Sequence, residues 1–281
     1  MTAIISILTV LTWVLACWFM LVRIESGHTG KDVHIKTVVA ACILAIGVLS
    51  DVQWLMLRDG ELLRGEQILH VLGMLGLILY ALGDIRLGQA HIDKSKKISY
   101  RRQGIILFAL GHLMFIAVIL SLYDMTYKKY IFAAAAVAVV VALLTALFAR
   151  RMNIHFGRYT ALISVYIGIL VFTAVLAWAL WHSMGEAYDT ALAAYQETIA
   201  SPEYQEAIAA DPAAVIAAPV MNPALGSADA IRAAFLAFVI SDASLAPMYF
   251  GKVGGKPHYV IFNHVSYYMA QLLLAYSLII F

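Results

Sequence analysis

The chain has 281 residues, of which 63% are hydrophobic and 13% are charged, and its mean hydropathy is +0.86. This composition excludes an ordinary soluble domain and indicates an integral membrane protein, with most of its length in hydrocarbon and in contact with membrane lipids. The net charge of +2 is too small to indicate a nucleic-acid partner, and we expect none.

Eight segments are apolar over about 20 residues, the length that a helix needs to cross about 30 Å of hydrocarbon. Little chain remains between them. The sequence therefore predicts an all-α fold: a single polytopic membrane domain over residues 1–281, built as a bundle of eight transmembrane helices. The predicted spans are 2–22, 37–57, 66–88, 103–123, 130–149, 158–182, 228–248 and 259–281.

The basic residues predict how the chain is oriented in the membrane. Most loop Lys and Arg residues follow the first, third, fifth and seventh spans, for example Arg23, Lys36, Arg86 and Arg101. Loops that are rich in Lys and Arg stay on the cytoplasmic side. We therefore expect an inner or plasma membrane protein with both termini outside the cytoplasm.

Residues 183–227 do not fit the pattern of the spans. They contain acidic residues but no Lys or Arg, which predicts an extracytoplasmic insertion. Apolar residues recur at helical spacing in the first part, Ser201-Pro202-Glu203 is typical of the start of a second helix, and Asp211-Pro212 is a plausible stop for it. Further on, Pro219, Pro223 and Gly226 suggest irregular chain that leads into the seventh span. The sequence predicts a small cap of two short helices; its role is open between a solvated insertion, a lid and a docking surface.

Two aspartates, Asp84 and Asp242, lie inside the third and seventh spans. A charge in hydrocarbon costs a few kcal/mol or more, so it usually persists for a functional reason or with a buried cationic partner. Arg86 is a candidate partner for Asp84, whereas Asp242 has no cation within one turn of its own helix. We therefore predict that both carboxyl groups carry chemistry.

Other candidate site residues share helix faces or depth with the aspartates. At 1.5 Å per residue, His112, His264 and Asp242 lie about 12–15 Å from the basic residues near the ends of their spans. Each histidine has an equal alternative as a helix–helix hydrogen-bonding residue. No metal and no cofactor is expected. The full set of candidates that orient or bind substrate is Tyr80, His112, Ser241, His264, Tyr267, Tyr268 and Gln271.

Two regions resemble motifs of the YhhN family of membrane proteins. Gly83-Asp84-Ile85-Arg86-Leu87 and Leu110-Gly111-His112-Leu113-Met114-Phe115 resemble the first motif region, and Ser241-Asp242-Ala243-Ser244-Leu245 with Tyr267-Tyr268-Met269-Ala270-Gln271-Leu272-Leu273 resembles the second. The family includes lysoplasmalogenases, which hydrolyse the vinyl ether bond of lysoplasmalogens to a fatty aldehyde and glycerophosphoethanolamine or glycerophosphocholine. The resemblance implies a lysophospholipid substrate. Arg86 and the 183–227 insertion depart from the family pattern.

Vinyl ether hydrolysis suits a pair of carboxyl groups. A proton must reach the β-carbon, which makes an oxocarbenium ion, and water must then add. One protonated carboxyl and one carboxylate can supply both roles, as in glycosidases. We assign Asp242 as the acid and Asp84 as the base, with the reverse assignment open.

Two other function classes remain open from the residues. A metal-dependent lipid hydrolase would use His112, His264 and an aspartate as ligands for a metal-bound water. A proton-coupled transporter would use Asp84 and Asp242 as a proton relay. The oligomeric state is not predicted.

Overall fold

A computed structural model describes residues 1–27, 30–57, 64–122, 128–149, 151, 154–210, 223–251 and 256–280. All of the long elements within these residues are α-helices and no strand is found there, so the all-α prediction is confirmed. The helices are α1 (Thr2–Ser26), α2 (Gly30–Leu57), α3 (Arg64–Ile92), α4 (Lys97–Leu122), α5 (Lys128–Phe148), α6 (Thr160–Ala200), α7 (Pro202–Ala210), α8 (Pro223–Phe250) and α9 (Pro257–Ile280).

Seven of the described helices are long and apolar enough to cross a membrane, namely α1 to α6 and α8. They support the prediction of an integral membrane protein. The eighth predicted span corresponds to α9, which is long enough but contains Asn263, His264 and Gln271 among its apolar residues. The count of eight transmembrane helices therefore stays a prediction.

Six helices form a closed ring, in the order α2, α3, α4, α6, α8 and α9, with α9 packing back against α2. Helix α9 also contacts α3 across the ring, while α1 packs on α2 and α9, and α5 packs on α6. The outer surface is apolar: Phe132, Val139 and Leu147 of α5 are exposed, as expected where a helix faces lipid. The ring brings the third, seventh and eighth predicted spans around one interior.

Helices α3 and α4 pack closely because small residues face each other along their contact. A Cβ atom on Gly83 would lie 3.2 Å from the carbonyl oxygen of Gly104, and one on Gly104 would lie 3.1 Å from that of Gly83. Small residues let helix backbones approach in this way in membranes. Asp93 closes the turn between the two helices by accepting hydrogen bonds from the backbone N–H groups of Ser95 at 3.0 Å and Lys96 at 3.3 Å.

We expect Gly111→Ala in α4 to lower the unfolding temperature in detergent. The added Cβ would lie 2.5 Å from the buried Tyr80 ring, which is held between Phe108 and Phe115 with centroids 5.8 and 5.9 Å away. Overpacking of this kind costs about 1–3 kcal/mol. Gly185→Ala in α6 is the control, since nothing lies within 4 Å of its Cβ position. Equal unfolding temperatures for the two variants would contradict the packing described for Tyr80.

The prediction for the 183–227 insertion is partly wrong in its helix boundaries. The first predicted short helix does not exist as a separate element, because α6 continues without a break from the predicted sixth span to Ala200. No proline interrupts that stretch, and alanines and other good helix formers fill it. The side of the membrane on which it lies stays a prediction.

The second predicted helix of the insertion is confirmed as α7. Its first residue is Pro202, and the Ser201 hydroxyl accepts a hydrogen bond from the backbone N–H of Tyr204 at 3.2 Å, which is an N-cap. The predicted stop at Asp211-Pro212 lies outside the described residues. Further on, Pro223 begins α8, although the sequence suggested irregular chain there.

Candidate active site

The two intramembrane aspartates line the same cavity. It has a volume of about 70 Å³ and lies where α1, α3 and α8 end and α2, α4 and α9 begin. This is the end that the basic residues assign to the cytoplasm. The volume is enough for a few water molecules. Asp84, Ser241, Asp242, His264 and Tyr267 of the sequence-predicted set line this cavity.

Asp84 is paired with a lysine from a neighbouring helix. The Lys36 Nζ atom of α2 lies 2.5 Å from an Asp84 carboxylate oxygen, and both side chains are largely buried. The Tyr267 side chain of α9 lines the same cavity. The charge of Asp84 is therefore compensated inside the protein by Lys36.

The prediction that Arg86 is the partner of Asp84 is wrong. The Arg86 guanidinium donates a hydrogen bond to the Gln89 side-chain oxygen at 2.9 Å and lies over the Tyr100 ring, with its Cζ 5.7 Å from the centroid. Helical geometry explains this, because residues two apart do not face each other on a helix. Lys36 was assigned to a loop by sequence, but α2 begins at Gly30 and carries it into the bundle.

Asp242 has different surroundings. Its carboxyl group accepts a hydrogen bond from the Tyr166 hydroxyl of α6, and no Lys or Arg among the described residues forms an ion pair with it. The two aspartates of the cavity are thus unequal: one has a cation, and the other has a phenol.

A chain of hydrogen bonds extends from Asp242 into the bundle. Tyr166 Oη lies 3.5 Å from His112 Nε2, and His112 Nδ1 lies 2.8 Å from Tyr80 Oη. The hydrogen bonds of this chain can be directed either toward Asp242 or away from it. With Asp242 ionised, Tyr80 donates to His112, His112 to Tyr166 and Tyr166 to Asp242. With Asp242 protonated, each donor and acceptor reverses. In the reversed chain the hydroxyl hydrogen of the buried Tyr80 has no acceptor among the described residues, so only the chain with Asp242 ionised pairs every donor.

The remaining predicted residues support those at the cavity. Gln271 donates a hydrogen bond to the Tyr267 hydroxyl, and so orients a side chain that lines the cavity. His264 contacts the Val260 carbonyl oxygen through Nδ1 at 2.8 Å, which places the proton on Nδ1 and leaves Nε2 as an acceptor. The Tyr268 ring lies beside those of Tyr267 and His264, with centroids 5.3 and 6.1 Å apart.

Ser241 links two helices next to Asp242. Its hydroxyl and carbonyl oxygens both accept hydrogen bonds from the Asn263 amide of α9, each at 2.9 Å. This contact fixes the part of α8 that carries Asp242. Ser241 therefore acts on the position of Asp242 through the backbone.

Sequence reasoning missed three residues of the site: Lys36, Tyr166 and Asn263. Lys36 lies four residues after Asp32 and directly before an apolar run, a spacing that is compatible with a helix starting earlier than predicted. Tyr166 lies in an apolar span, and a single tyrosine there does not indicate a partner. Asn263 directly precedes His264 and, as an amide in an apolar helix, could have been included.

The metal alternative lacks a ligand set in the described part of the chain. No group of three or more His, Cys, Asp and Glu side chains there could hold a metal ion. His112 is engaged by two tyrosines, and His264 is engaged by the Val260 carbonyl group through one ring nitrogen. The predicted combination of His112, His264 and an aspartate is not brought together as a metal site.

The profile of the YhhN family matches residues 53–196, which is more than half of the chain. The chain belongs to the YhhN family. The matched region of this YhhN protein contains Asp84, His112 and Tyr166, while Asp242 and the α9 residues follow it. No curated protein and no solved structure matches the sequence.

Proposed function

We propose that this YhhN protein is a membrane-embedded hydrolase that cleaves the vinyl ether bond of lysoplasmalogens. The observation that carries the proposal is the pair of unequal carboxyl groups, Asp84 and Asp242, on one small cavity inside an apolar bundle. Family membership and the motif resemblance point to the same activity.

The surroundings of each carboxyl group suggest its role. Lys36 compensates the charge of Asp84, so Asp84 suits the carboxylate that steadies a cation and activates water. Asp242 has no cation among the described residues, and a carboxyl group in a dry site without a cation favours its neutral form. Asp242 therefore suits the general acid, as the sequence predicted, and its hydrogen-bond chain would stabilise the carboxylate left after proton transfer.

The proposed reaction balances with these two groups. Asp242 gives its proton to the β-carbon of the vinyl ether, and the ether oxygen stabilises the resulting oxocarbenium ion. Water adds to the α-carbon while Asp84 takes its proton, which gives a hemiacetal. Asp84 then returns that proton to the glycerol oxygen as the carbon–oxygen bond breaks, and the hemiacetal hydroxyl proton returns to Asp242. The products are a fatty aldehyde and a glycerophospho-base, and both carboxyl groups regain their starting states.

The cavity is too small for a whole lysolipid and matches its reacting part. At about 70 Å³ it has room for a vinyl ether group and little more. The alkenyl chain of the lipid would extend among apolar side chains. The head group would extend toward the end of the bundle, where Arg23 and His91 line the cavity.

The test is aldehyde release by purified protein in detergent. A lysoplasmalogen and its saturated alkyl-ether analogue are compared, since the analogue has no double bond to protonate. We expect aldehyde from the vinyl ether alone. A folded protein that releases no aldehyde from either lipid, but moves a labelled lysolipid or protons across vesicles, would favour the transporter instead.

A further inference from the structure

One end of the cavity, about 10 Å by helical rise from the two aspartates, is lined by Arg23, His91 and Tyr249, and Arg101 packs against Tyr249 beside this opening. Arg23 ends α1, His91 ends α3 and Tyr249 ends α8, while Arg101 lies in the first turns of α4. His91 Nε2 and the Tyr249 hydroxyl share a hydrogen bond of 2.9 Å. These residues come from four different helices, and the packing of the bundle brings them together.

Two of the cations at this opening have carboxylate partners. Arg23 pairs with Asp32 at 3.5 Å, and Lys36 pairs with Asp84 at 2.5 Å. Arg101 is different, since no carboxylate in the described part of the chain forms an ion pair with it. Arg23, Lys36 and Arg101 all act electrostatically on the hydrogen-bonded pair of His91 and Tyr249. The positive charge of Arg101 beside the opening is therefore not compensated by an ion pair among the described residues.

The Arg101 guanidinium is held in position by aromatic rings, and one of its hydrogen-bond donors has no partner among the described residues. Its Cζ atom lies 5.1 Å from the Tyr249 ring centroid and 5.9 Å from that of Phe250. Its Nε atom is buried and has no hydrogen-bond partner among the described residues. A buried donor without a partner costs free energy, and a guanidinium held on aromatic rings is ready to bind an anion with its fork of N–H groups.

We propose that Arg101, backed by the Tyr249 ring and next to Arg23 and His91, binds the phosphate group of a lysophospholipid. The inference rests on the proposed function, because it supplies the head-group site for the same cavity. A glycerol unit separates the phosphate of such a lipid from its ether bond, and the two helical turns between these side chains and the aspartates leave space for that unit. The site makes the enzyme select phosphate-bearing lipids over neutral glycerol ethers.

The test is equilibrium binding, which needs no turnover. The full chain in a neutral detergent is titrated with a saturated alkyl-ether glycerophosphocholine and with the corresponding alkylglycerol, which lacks phosphate. We expect Arg101→Gln to weaken binding of the phosphate-bearing lipid about tenfold or more, and to leave the alkylglycerol unchanged. Arg101→Lys keeps the positive charge but lacks the planar set of guanidinium N–H groups, so it should weaken binding of the phosphate-bearing lipid less than Arg101→Gln does. It replaces Arg101→Gln in the test if that variant does not fold.

Arg102→Gln is the matched control, because Arg102 is the adjacent arginine and is exposed. It should bind both lipids as the unmodified protein does. The proposal is overturned if folded Arg101→Gln and Arg101→Lys bind the phosphate-bearing lipid normally. It is also overturned if inorganic phosphate competes while the two lipids bind equally, since that result indicates a site for free phosphate. If the unmodified protein releases aldehyde but binds the two lipids equally, the result contradicts this inference alone. If its binding selectivity depends on Arg101 but no aldehyde is released, the result contradicts the proposed function alone.

Discussion

Asp242→Asn should reduce aldehyde release by about 10²–10⁴-fold, the usual contribution of general acid catalysis. Asparagine has nearly the same size and can still accept the Tyr166 hydrogen bond, so the fold should persist. It cannot deliver a proton to carbon. The measurement is the initial rate of aldehyde formation from a lysoplasmalogen, with the unfolding temperature recorded on the same preparation.

Two variants control this experiment. Asp229→Asn changes an exposed aspartate of the same helix, whose partner is Arg232, and should leave the rate unchanged. Tyr166→Phe removes one hydrogen bond to Asp242 while the acid remains, and should lower the rate about tenfold. A rate for Asp242→Asn within twofold of the unmodified protein would rule out Asp242 as the acid.

Lys36→Met should be the most destabilising single change at the site. It leaves Asp84 buried without its cation, and loss of one partner of a buried ion pair costs about 3–5 kcal/mol. The unfolding temperature in detergent should therefore fall, and aldehyde release should fall with it, since the carboxylate proposed to activate water loses the charge that stabilises it.

The double variant Lys36→Met/Asp84→Asn distinguishes loss of the ion pair from loss of the packing of the Lys36 side chain. Replacing both partners removes the uncompensated charge, so stability should recover most of what Lys36→Met loses, while activity should not recover. Lys31→Met is the control, because Lys31 is exposed on the same helix and should change stability by no more than about 0.5 kcal/mol. A double variant as unstable as Lys36→Met would show that Lys36 contributes packing rather than charge pairing.

Local patterns predicted the helices well, since hydrophobic length and composition are properties of each segment alone. They also pointed to Asp84 and Asp242 as candidate site residues, because a carboxyl group in an apolar span is unusual wherever it lies. The N-cap at Ser201 was predictable for the same reason: a cap depends on residues within one turn.

The partners of the site residues could not be predicted in the same way. The ring order that places α2 beside α3 and α6 beside α8 depends on packing between distant segments. Lys36 was therefore counted as an orientation residue although it reaches Asp84, and Tyr166 was overlooked although it reaches Asp242. The error over Arg86 was of another kind, because helix geometry alone argues against a contact between residues two apart.

The unbroken length of α6 also affects how this protein can be imaged. At 1.5 Å per residue its 41 residues span about 60 Å, roughly twice the hydrocarbon thickness, so one end must stand clear of the lipid. A small bundle enclosed in a disc of lipid has few landmarks for aligning particle images. The protruding rod supplies one, and an antibody fragment raised against its acidic end would both enlarge the particle and mark which leaflet it leaves.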